Sequence, residues 1–227
     1  NTSEREAILN AGRFMKEAGC AICDKNDSEI LYDRGVLTRG KGLVFFNNVI
    51  CKTCGLVYRN PQPEPGDIKD FDNKKYIENC YGIDSAEKQK EYTEHIEKRS
   101  KNQKNLEFIK QYIKPDMGVL EIGSGFGLML KSIRDDFKIK VKGIEPSNSA
   151  EYAKQRYGLD IFHGTFDEYL KTDKQEKYDF ILMHHVFEHF PNPVGVLADL
   201  KNILSKDGLL YIEVPNILNF DRRAEAF

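Results

Sequence analysis

The 227-residue chain has no apolar run that approaches the roughly 20 residues needed for a membrane-spanning helix. It has no internal repeat and no low-complexity tract, which argues against repeat architectures. Its formal net charge of −2 argues against wholesale nucleic-acid binding. No secretory signal pattern opens the sequence. These absences together predict a soluble, cytoplasmic protein with no membrane partner.

Cysteine is scarce but clustered. Of the five cysteines, four fall in two close pairs, Cys20/Cys23 and Cys51/Cys54, and Cys80 stands alone. A Cys-x-x-Cys pair repeated after 27 residues is metal-ligand spacing, because each pair turns two thiolates toward one tetrahedral ion. A segment this short buries little apolar surface, so the metal would supply much of its folding energy. The sequence therefore predicts a zinc ribbon with one structural zinc ion.

The residue patterns in the first half of the chain predict two helices and two strands. Residues 1–18 have apolar positions at roughly helical spacing and are expected to form a short helix. Two strands are expected at 29–32 and 43–50, with turns at Gly35, Gly40 and Gly42. Residues 86–114 predict one long, charged helix that stops at Lys114 and Pro115.

The chain is organised around the stretch from Gly118 to Leu128, which has the pattern of a buried strand, a glycine turn and a helix. The glycines of this turn lack a Cβ, so the backbone can take positive φ and approach a ligand closely. The helix after the turn would point its free N–H groups at that ligand. A second strand-like run ends at Glu145, 22 positions after Gly123. A carboxylate there can accept hydrogen bonds from both hydroxyls of a ribose.

Strand-like and helical patterns alternate through the second half of the chain. The strand-like runs cover residues 118–122, 139–144, 159–165, 178–184 and 208–216. Such alternation predicts a mostly parallel sheet with right-handed crossovers and helices on both faces. The expected fold class is α/β and Rossmann-like, with the small zinc ribbon in front.

The acid-x-Gly-x-Gly-x-Gly pattern from Glu121 to Gly127 resembles that of S-adenosylmethionine-dependent methyltransferases of the Rossmann-like class. The chain also has a cysteine-paired segment ending in Cys-Gly-Leu-Val, an Asn-Pro-x-Pro boundary, an aromatic linker and a later Glu-His dipeptide. In this order the motifs are similar to those of the family that includes the deoxysugar C-methyltransferases. The resemblance implies a zinc-binding module with a short leading helix (1–66), an aromatic linker with a long helix (67–114) and a cofactor-binding domain (115–227). The strands that usually complete this fold after the fifth are expected to be absent.

The resemblance also implies a site for S-adenosylmethionine. The glycine loop with Glu121 would position the methionine end and Glu145 would hold the ribose. The adenine would lie near Pro146 and near Thr165 and Phe166. The expected cofactor-binding residues are Glu121, Gly123, Ser124, Gly125, Gly127, Glu145, Pro146, Thr165, Phe166, Met183 and His184.

A cluster of ionisable residues comes after the fourth predicted strand: His185, Glu188 and His189. If the chain turns helical after His184, all three share one helix face. An imidazole, with a reference pKa of ~6.5, is suited to accept a proton at neutral pH. The cluster could serve catalysis, support the structure or bind a second metal, since some RNA-end and quinone-pathway O-methyltransferases carry a metal-binding Glu-x-x-Glu-His pattern here. In the sugar-methylating relatives the Glu-His pair lies in the active site, so His189 with Glu188 is the expected base.

Tyr76 and Tyr81 are expected either to orient the substrate and cap the cofactor, as tyrosines in this linker do in the resembled family, or to pack between the domains. The implied function is methyl transfer to a small-molecule acceptor, a sugar or nucleotide-linked sugar, on oxygen or carbon, with the zinc module closing over the active site. The first alternative is an RNA methyltransferase that grips RNA with its zinc ribbon. That ribbon is close to neutral once four thiolates hold one zinc ion, which disfavours phosphate binding. The second alternative is a non-catalytic cofactor-binding protein.

Overall fold

The computed structural model describes residues 15–38, 42–63, 82–83, 85–100, 104–172 and 176–216. The chain divides into two compact units, Asn1–Asp72 and Asn73–Phe227. The three predicted segments, with boundaries at 66 and 114, stay predictions. Among the described residues, no helix has the length and apolar character needed to cross a membrane.

The first unit contains an antiparallel sheet of three strands in the order β2-β3-β4. The strands are β2 (Ser28–Thr38), β3 (Gly42–Cys51) and β4 (Val57–Asn60). In the pairing of β2 with β3, Ser28 lies opposite Cys51, which brings the start of β2 beside the second cysteine pair. Both predicted strands exist but are longer than expected. Gly35, predicted to lie in a turn, pairs with Phe45 inside the sheet, because the β2–β3 ladder continues without a break from Tyr32 to Thr38.

A second, two-stranded sheet joins β1 (Met15–Lys16) to β5 (Gln62–Pro63). The helix expected over residues 1–18 is therefore wrong at its carboxyl end, where the backbone of Met15 and Lys16 pairs with β5. The rest of that prediction, residues 1–14, lies outside the described residues.

The second unit is built on a five-stranded sheet in which every neighbouring pair is parallel. Its strands are β6 (Val119–Ile122), β7 (Val141–Glu145), β8 (Asp160–His163), β9 (Tyr178–His184) and β10 (Leu204–Glu213). They lie in the order β10-β9-β6-β7-β8. This order runs outward from β6 in both directions, as in the Rossmann fold. The predicted fold class is confirmed.

Helices cover both faces of this sheet. They are α1 (Ala86–Ser100), α2 (Lys104–Lys110), α3 (Leu128–Phe137), α4 (Ser149–Tyr157), α5 (Phe166–Leu170) and α6 (Pro193–Ile203). Because side chains alternate along a strand, β6 contributes to two separate cores. Val119 packs in a cluster with residues of α2, α3 and α4. Leu120 packs in a second cluster with residues of α5 and α6.

The long helix predicted over residues 86–114 is described as two helices, α1 and α2, and residues 101–103 between them lie outside the described residues. Helix α2 ends at Lys110 rather than at Lys114. There the chain tightens, and the amides of Tyr112 and Ile113 donate to the carbonyls of Ile109 and Lys110. The tight turn carries Ile113 into the core, where it is 6% exposed. Residues 217–227 also lie outside the described residues, so the expected absence of further strands stays a prediction.

Candidate active site at the carboxyl edge of the parallel sheet

The glycine loop lies directly after β6, where the strand order changes direction between β6 and β9. Open α/β sheets bind ligands at this position, outside the carboxyl ends of the strands. Gly123 and Gly127 both have a φ of 72°. A Cβ on Gly123 would lie 2.3 Å from Val186 Cγ2, and one on Gly127 would lie 2.5 Å from Leu159 Cδ1. These two glycines allow the loop to pack closely against its neighbours.

Gly125 has different surroundings from the other two glycines of the loop. Its φ is 51°, and apart from its chain neighbours no atom of the described residues lies within 4 Å of the point that a Cβ would occupy. The described residues therefore leave open the space in front of the middle of the loop, at the edge of the sheet where a ligand is expected.

Glu145, at the end of β7, is held against this loop. Its Oε2 accepts a hydrogen bond from the Gly125 amide, and its Oε1 accepts one from the Ser147 amide, both at 2.8 Å. The side chain is 6% exposed. Since a carboxylate oxygen has two acceptor positions, each oxygen keeps one for a further donor such as a hydroxyl group. The geometry is compatible with the predicted ribose contact.

Two buried polar atoms beside the loop lack a hydrogen-bond partner among the described residues. They are Oε2 of Glu121, which is 4% exposed, and Oγ of Ser124, which is 7% exposed. Burial, and then the neighbouring charge of Glu145, raise the pKa of Glu121 well above its ordinary value, while the amide of Leu130 opposes the change. Buried polar groups in folded proteins are nearly always paired. Unpaired atoms at this place fit a polar ligand that carries its own donors.

A second group of side chains lies at the ends of β9 and β10. Its members are His184, His185 and Glu213, and one ligand atom from each falls within 4.8 Å of the other two. Nε2 of His184 lies 3.3 Å from Oε1 of Glu213, and Nε2 of His185 lies 3.6 Å from the same oxygen. The two imidazole rings meet edge to face, with centroids 4.4 Å apart. Hereafter we call these three residues the His-Glu cluster.

Polar neighbours surround the cluster. Asn105 Nδ2 lies 2.8 Å from Nε2 of His184 and 3.4 Å from Oε2 of Glu213. The Tyr211 hydroxyl donates to the same Oε2. Burial lowers the pKa of His184, and the charge of His185 adds to this, while Glu213 opposes it. Burial by itself would raise the pKa of Glu213, but the bond from Tyr211 and the nearby imidazoles outweigh it and lower that pKa.

The chain after β9 does not turn into an α-helix as expected. His185 takes a left-handed conformation with a φ of 55°, and its amide donates to the Glu213 carbonyl at 2.9 Å. Strand β9 ends before this residue, and the chain then forms a single 3-10 turn, Phe187–His189. Glu188 still approaches His185, with Oε1 3.8 Å from Nδ1. His189 is exposed and does not belong to the His-Glu cluster that the described residues form.

Residues 92–226 match a family described as a methyltransferase domain, which covers more than half of the chain. The chain belongs to this methyltransferase-domain family.

Curated relatives agree with this assignment. The chain is 35% identical over 108 residues to a ubiquinone biosynthesis O-methyltransferase of Glaesserella parasuis, covering 43% of this chain and 45% of the relative. It is 27% identical over 126 residues to the protein of the same name from Actinobacillus pleuropneumoniae serotype 7, covering 51% and 53%. The chain therefore spans about half the length of the curated relatives it matches.

Among solved structures, the plantazolicin methyltransferase BpumL, in complex with a desmethylPZN analogue and SAH, is similar at 20% identity. The TM-score is 0.49, over 71% of this chain and 66% of that chain. Coclaurine N-methyltransferase is similar at 25% identity with a TM-score of 0.43, over 48% and 34%.

In this methyltransferase domain, the residues predicted to lie near an adenine have structural contacts of their own. Thr165 is the N-cap of α5: its Oγ1 accepts from the Glu168 amide at 3.2 Å, and the Glu168 carboxylate accepts from the Thr165 amide at 2.7 Å. The Phe166 side chain is 3% exposed and packs in the core under α5 and α6. Met183 is also fully buried there. Their predicted contacts with the cofactor stay predictions, as does that of the half-buried Pro146.

Three residues near the site had no role in the sequence-based prediction. His163, at the end of β8, has Nδ1 3.1 Å from Oε1 of Glu151, and its buried Nε2 lacks a partner. Tyr211 stands two positions before Glu213 on β10, so strand alternation indicates that both lie on one face. Asn105 carries no signal of its own, because only the fold brings α2 to the end of β9. Tyr76 and Tyr81 lie outside the described residues.

The four paired cysteines come together in the first unit, as their spacing predicts. Their sulfur atoms lie within 4.8 Å of one another, and all four cysteines are free of disulfides. Sγ of Cys20 is 3.4 Å from that of Cys54, and Sγ of Cys23 is 3.6 Å from that of Cys51. Four sulfurs ~2.3 Å from one tetrahedral zinc ion would be ~3.8 Å apart. The amides of Cys54 and Thr53 lower the pKa of Cys51 to about 6, against the effect of burial.

Proposed function

We propose that this protein is an S-adenosylmethionine-dependent methyltransferase that acts on a small molecule. The observation that carries the proposal is the glycine loop, with open space at Gly125 and unpaired buried atoms on Glu121 and Ser124. Family membership supports it. The donor set also fits the cofactor, whose methionine end carries an ammonium group and whose ribose carries two hydroxyls. Glu121 and Ser124 would pair with the ammonium group, and Glu145 with the ribose hydroxyls.

The bound cofactor supplies an electrophilic methyl group on a sulfonium, with a good leaving group already in place. The protein then has two tasks, to position the acceptor in line with that methyl group and to take a proton from it. The loop and Glu145 fix the cofactor's position at the edge of the sheet. For the proton we propose His189, with Glu188 beside it. His189 is exposed at the same edge and stands free of the His-Glu cluster.

For the acceptor we propose a sugar or nucleotide-linked sugar, methylated on oxygen or carbon, which rests on the sequence resemblance. The curated relatives are named for O-methylation in ubiquinone biosynthesis, so a hydroxyl-bearing precursor of that pathway is the second acceptor class to test. A base that removes a proton from a hydroxyl can also remove one from a carbon next to a carbonyl. The residues at the edge of the sheet are compatible with both outcomes.

We further propose that the four paired cysteines hold a structural zinc ion. The four sulfur atoms lie within 4.8 Å of one another, and their separations of 3.4 and 3.6 Å are much longer than the ~2.05 Å of a disulfide. Four thiolates in closed tetrahedral geometry are typical of structural rather than catalytic zinc.

Calorimetric titration with S-adenosylhomocysteine tests the cofactor site. We expect micromolar binding that Gly125→Arg abolishes, because the arginine would fill the open space before the loop. Gly158→Arg is a matched control: Gly158 has a φ of 62°, nothing within 4 Å of its Cβ position, and a place at the end of α4 outside the site. Adding a nucleotide-sugar or a phenolic quinone precursor should strengthen binding if that class is the acceptor.

Equal loss of binding in both variants would mean that backbone strain, and not occupation of the site, explains the effect. Absence of binding to the wild-type protein would contradict the proposed cofactor site. Tight cofactor binding without methyl transfer to either acceptor class would favour the non-catalytic alternative.

A further inference from the structure

The distances inside the His-Glu cluster lie just beyond the usual range of hydrogen bonds and suit a shared ion. Protein N–H···O bonds are ~2.7–3.2 Å long, whereas the two imidazole nitrogens lie 3.3 and 3.6 Å from Oε1 of Glu213. Two ligand atoms, each ~2.1 Å from one tetrahedral metal ion, are ~3.4 Å apart. The observed spacing matches that of neighbouring ligands on one ion.

The backbone holds the three ligands in this arrangement. His184 and Glu213 are the last residues of β9 and β10 and lie opposite each other in the parallel pairing. His185 comes next in a left-handed conformation, which non-glycine residues rarely adopt and which persists where the surroundings impose it. Here the bond from its amide to the Glu213 carbonyl fixes it. The turn brings the second imidazole over the same carboxylate as the first.

The surrounding hydrogen bonds leave Oε1 of Glu213 available, whereas Nε2 of His184 is in contact with Asn105. On Glu213, the Tyr211 hydroxyl and the Asn105 amide group both occupy Oε2, so Oε1 is the oxygen that faces the two rings. Nδ2 of Asn105 can only donate, so its contact with Nε2 of His184 fits the neutral tautomer in which Nε2 carries the lone pair and Nδ1 the ring proton. A metal ion would replace Asn105 as the partner of this lone pair.

Metal-binding histidines usually have an outer hydrogen-bond partner on their second ring nitrogen. In His185 that nitrogen, Nδ1, lies 3.8 Å from Oε1 of Glu188, which is longer than a hydrogen bond. A carboxylate that accepts the second ring N–H orients the imidazole and increases its basicity toward the metal. Glu188 can take this position with a small movement.

We propose that His184, His185 and Glu213 bind a divalent first-row transition metal ion, separate from the zinc ion at the cysteines. Two imidazoles with one carboxylate suit zinc, iron, cobalt or nickel better than magnesium or calcium, which prefer an all-oxygen set. Three protein ligands leave at least one coordination position for water or another small ligand. The ion would lie at the same edge of the sheet as the cofactor loop.

Cobalt(II) provides a direct test, because its visible absorption reports its ligands. The full chain, first loaded with one equivalent of zinc, is titrated with cobalt(II). We expect a further equivalent to bind with visible bands typical of nitrogen and oxygen ligands and without the thiolate charge-transfer absorption of a cobalt–cysteine site. Zinc released into solution is measured in parallel, so that displacement from the cysteines is seen directly.

His185→Ala and Glu213→Gln should each weaken this second binding event at least ~10-fold. His95→Ala is the matched control, since His95 is exposed on α1 away from the cluster and should leave binding unchanged. Tyr211→Phe keeps the aromatic ring and removes only the hydroxyl that holds Glu213. It should weaken binding ~10-fold in a protein that keeps its fold.

Absence of a second equivalent in the wild-type protein would overturn the proposal. So would an affinity for cobalt that is the same in the wild type, His185→Ala and Glu213→Gln. The titration with S-adenosylhomocysteine is repeated on the same samples, because it probes the glycine loop and not these ligands. Normal cofactor binding with no second metal would refute the metal site alone and leave the proposed function standing.

Discussion

Glu121 is a carboxyl group that the fold keeps away from water in the absence of a ligand. It is 4% exposed, one oxygen is unpartnered, and burial followed by the charge of Glu145 raises its pKa well above the ordinary value of 4.5. The folded protein therefore keeps a proton that the unfolded chain loses at about pH 4.5. Its contribution to stability is greatest below that pH and falls as the pH rises toward the folded-state pKa.

We therefore predict that the ligand-free wild-type protein loses more stability than Glu121→Gln between about pH 5 and about pH 8. Glutamine keeps the size of the side chain and cannot ionise, so the contribution of this residue, up to ~1.4 kcal/mol per pH unit, disappears. Urea unfolding at both pH values measures the difference. Glu107→Gln, on the exposed face of α2, should behave like the wild type. A stability difference between Glu121→Gln and the wild type that does not change with pH would contradict the prediction.

Ser124 gives a second prediction at this scale. Its buried hydroxyl has no partner in the part of the chain that the structure describes, so Ser124→Ala should leave stability unchanged or increase it by up to ~1 kcal/mol. The same change should weaken S-adenosylhomocysteine binding roughly 5–10-fold, because the cofactor would lose one hydrogen bond.

Ser149 is the contrasting case for that experiment. It is also buried, but its hydroxyl lies 2.6 Å from that of Ser147. Ser149→Ala should therefore cost ~1 kcal/mol of stability. Chemical unfolding and calorimetry on the two variants make the comparison. If Ser124→Ala is destabilising and binds the cofactor normally, Ser124 is a structural residue.

At the scale of elements, helix α5 begins with a capping box that ties Thr165 to Glu168 by two reciprocal hydrogen bonds. Thr165→Ala removes the side-chain acceptor and should cost ~1 kcal/mol, measured by urea unfolding. Thr165→Ser keeps a hydroxyl at the same position and should restore most of that stability. Cofactor affinity separates the two roles of this residue. An affinity that falls in the alanine variant and recovers in the serine variant would support the predicted adenine contact.

The strands of the second unit could be predicted from the sequence because each contains a short apolar segment near glycine, proline or charged residues. The turn between β6 and α3 could also be predicted, since its three glycines can adopt the positive φ that it requires. In this second unit, two helix predictions were wrong for local reasons. The chain leaves β9 at His185, which has a left-handed conformation that histidine rarely adopts. Helix α2 ends early because a tight turn buries Ile113.

At the scale of the molecule, the two proposed metal sites, the four cysteines and the His-Glu cluster, differ in how well each could be predicted from the sequence. The spacing of the cysteines predicts theirs, since two close pairs of one residue type suffice. The His-Glu cluster joins the ends of two strands that only the sheet makes neighbours, and its polar surroundings include Asn105 from a distant helix. The two adjacent histidines could be seen at the end of a predicted strand. That Glu213 lies beside them follows only from the register of β9 against β10.

The two units should also differ in what keeps them folded. In the first unit, among residues whose side chains the structure describes, the buried apolar ones are Cys20, Val49 and Cys51. Two of these three are ligands of the proposed zinc ion. The second unit has two extensive apolar cores, one on each face of its parallel sheet. The first unit is therefore expected to depend on metal, and the second on burial of apolar side chains.

Removing metal with a strong chelator should unfold the first unit and leave the second folded. Hydrogen exchange resolved along the chain measures this: the amides of β3 and β4, which pair from Asn47 to Ile50, should lose protection, while those of β6 and β7 should keep it. Chelation would also remove any metal ion from the His-Glu cluster. That cluster lies at the edge of the parallel sheet, and the apolar cores of the second unit include none of its three residues, so these cores should stay folded. Adding back one equivalent of zinc should restore protection in β3 and β4. If these strands stay protected after elemental analysis confirms that zinc is gone, their hydrogen-bonded ladder and not the ion holds the first unit together.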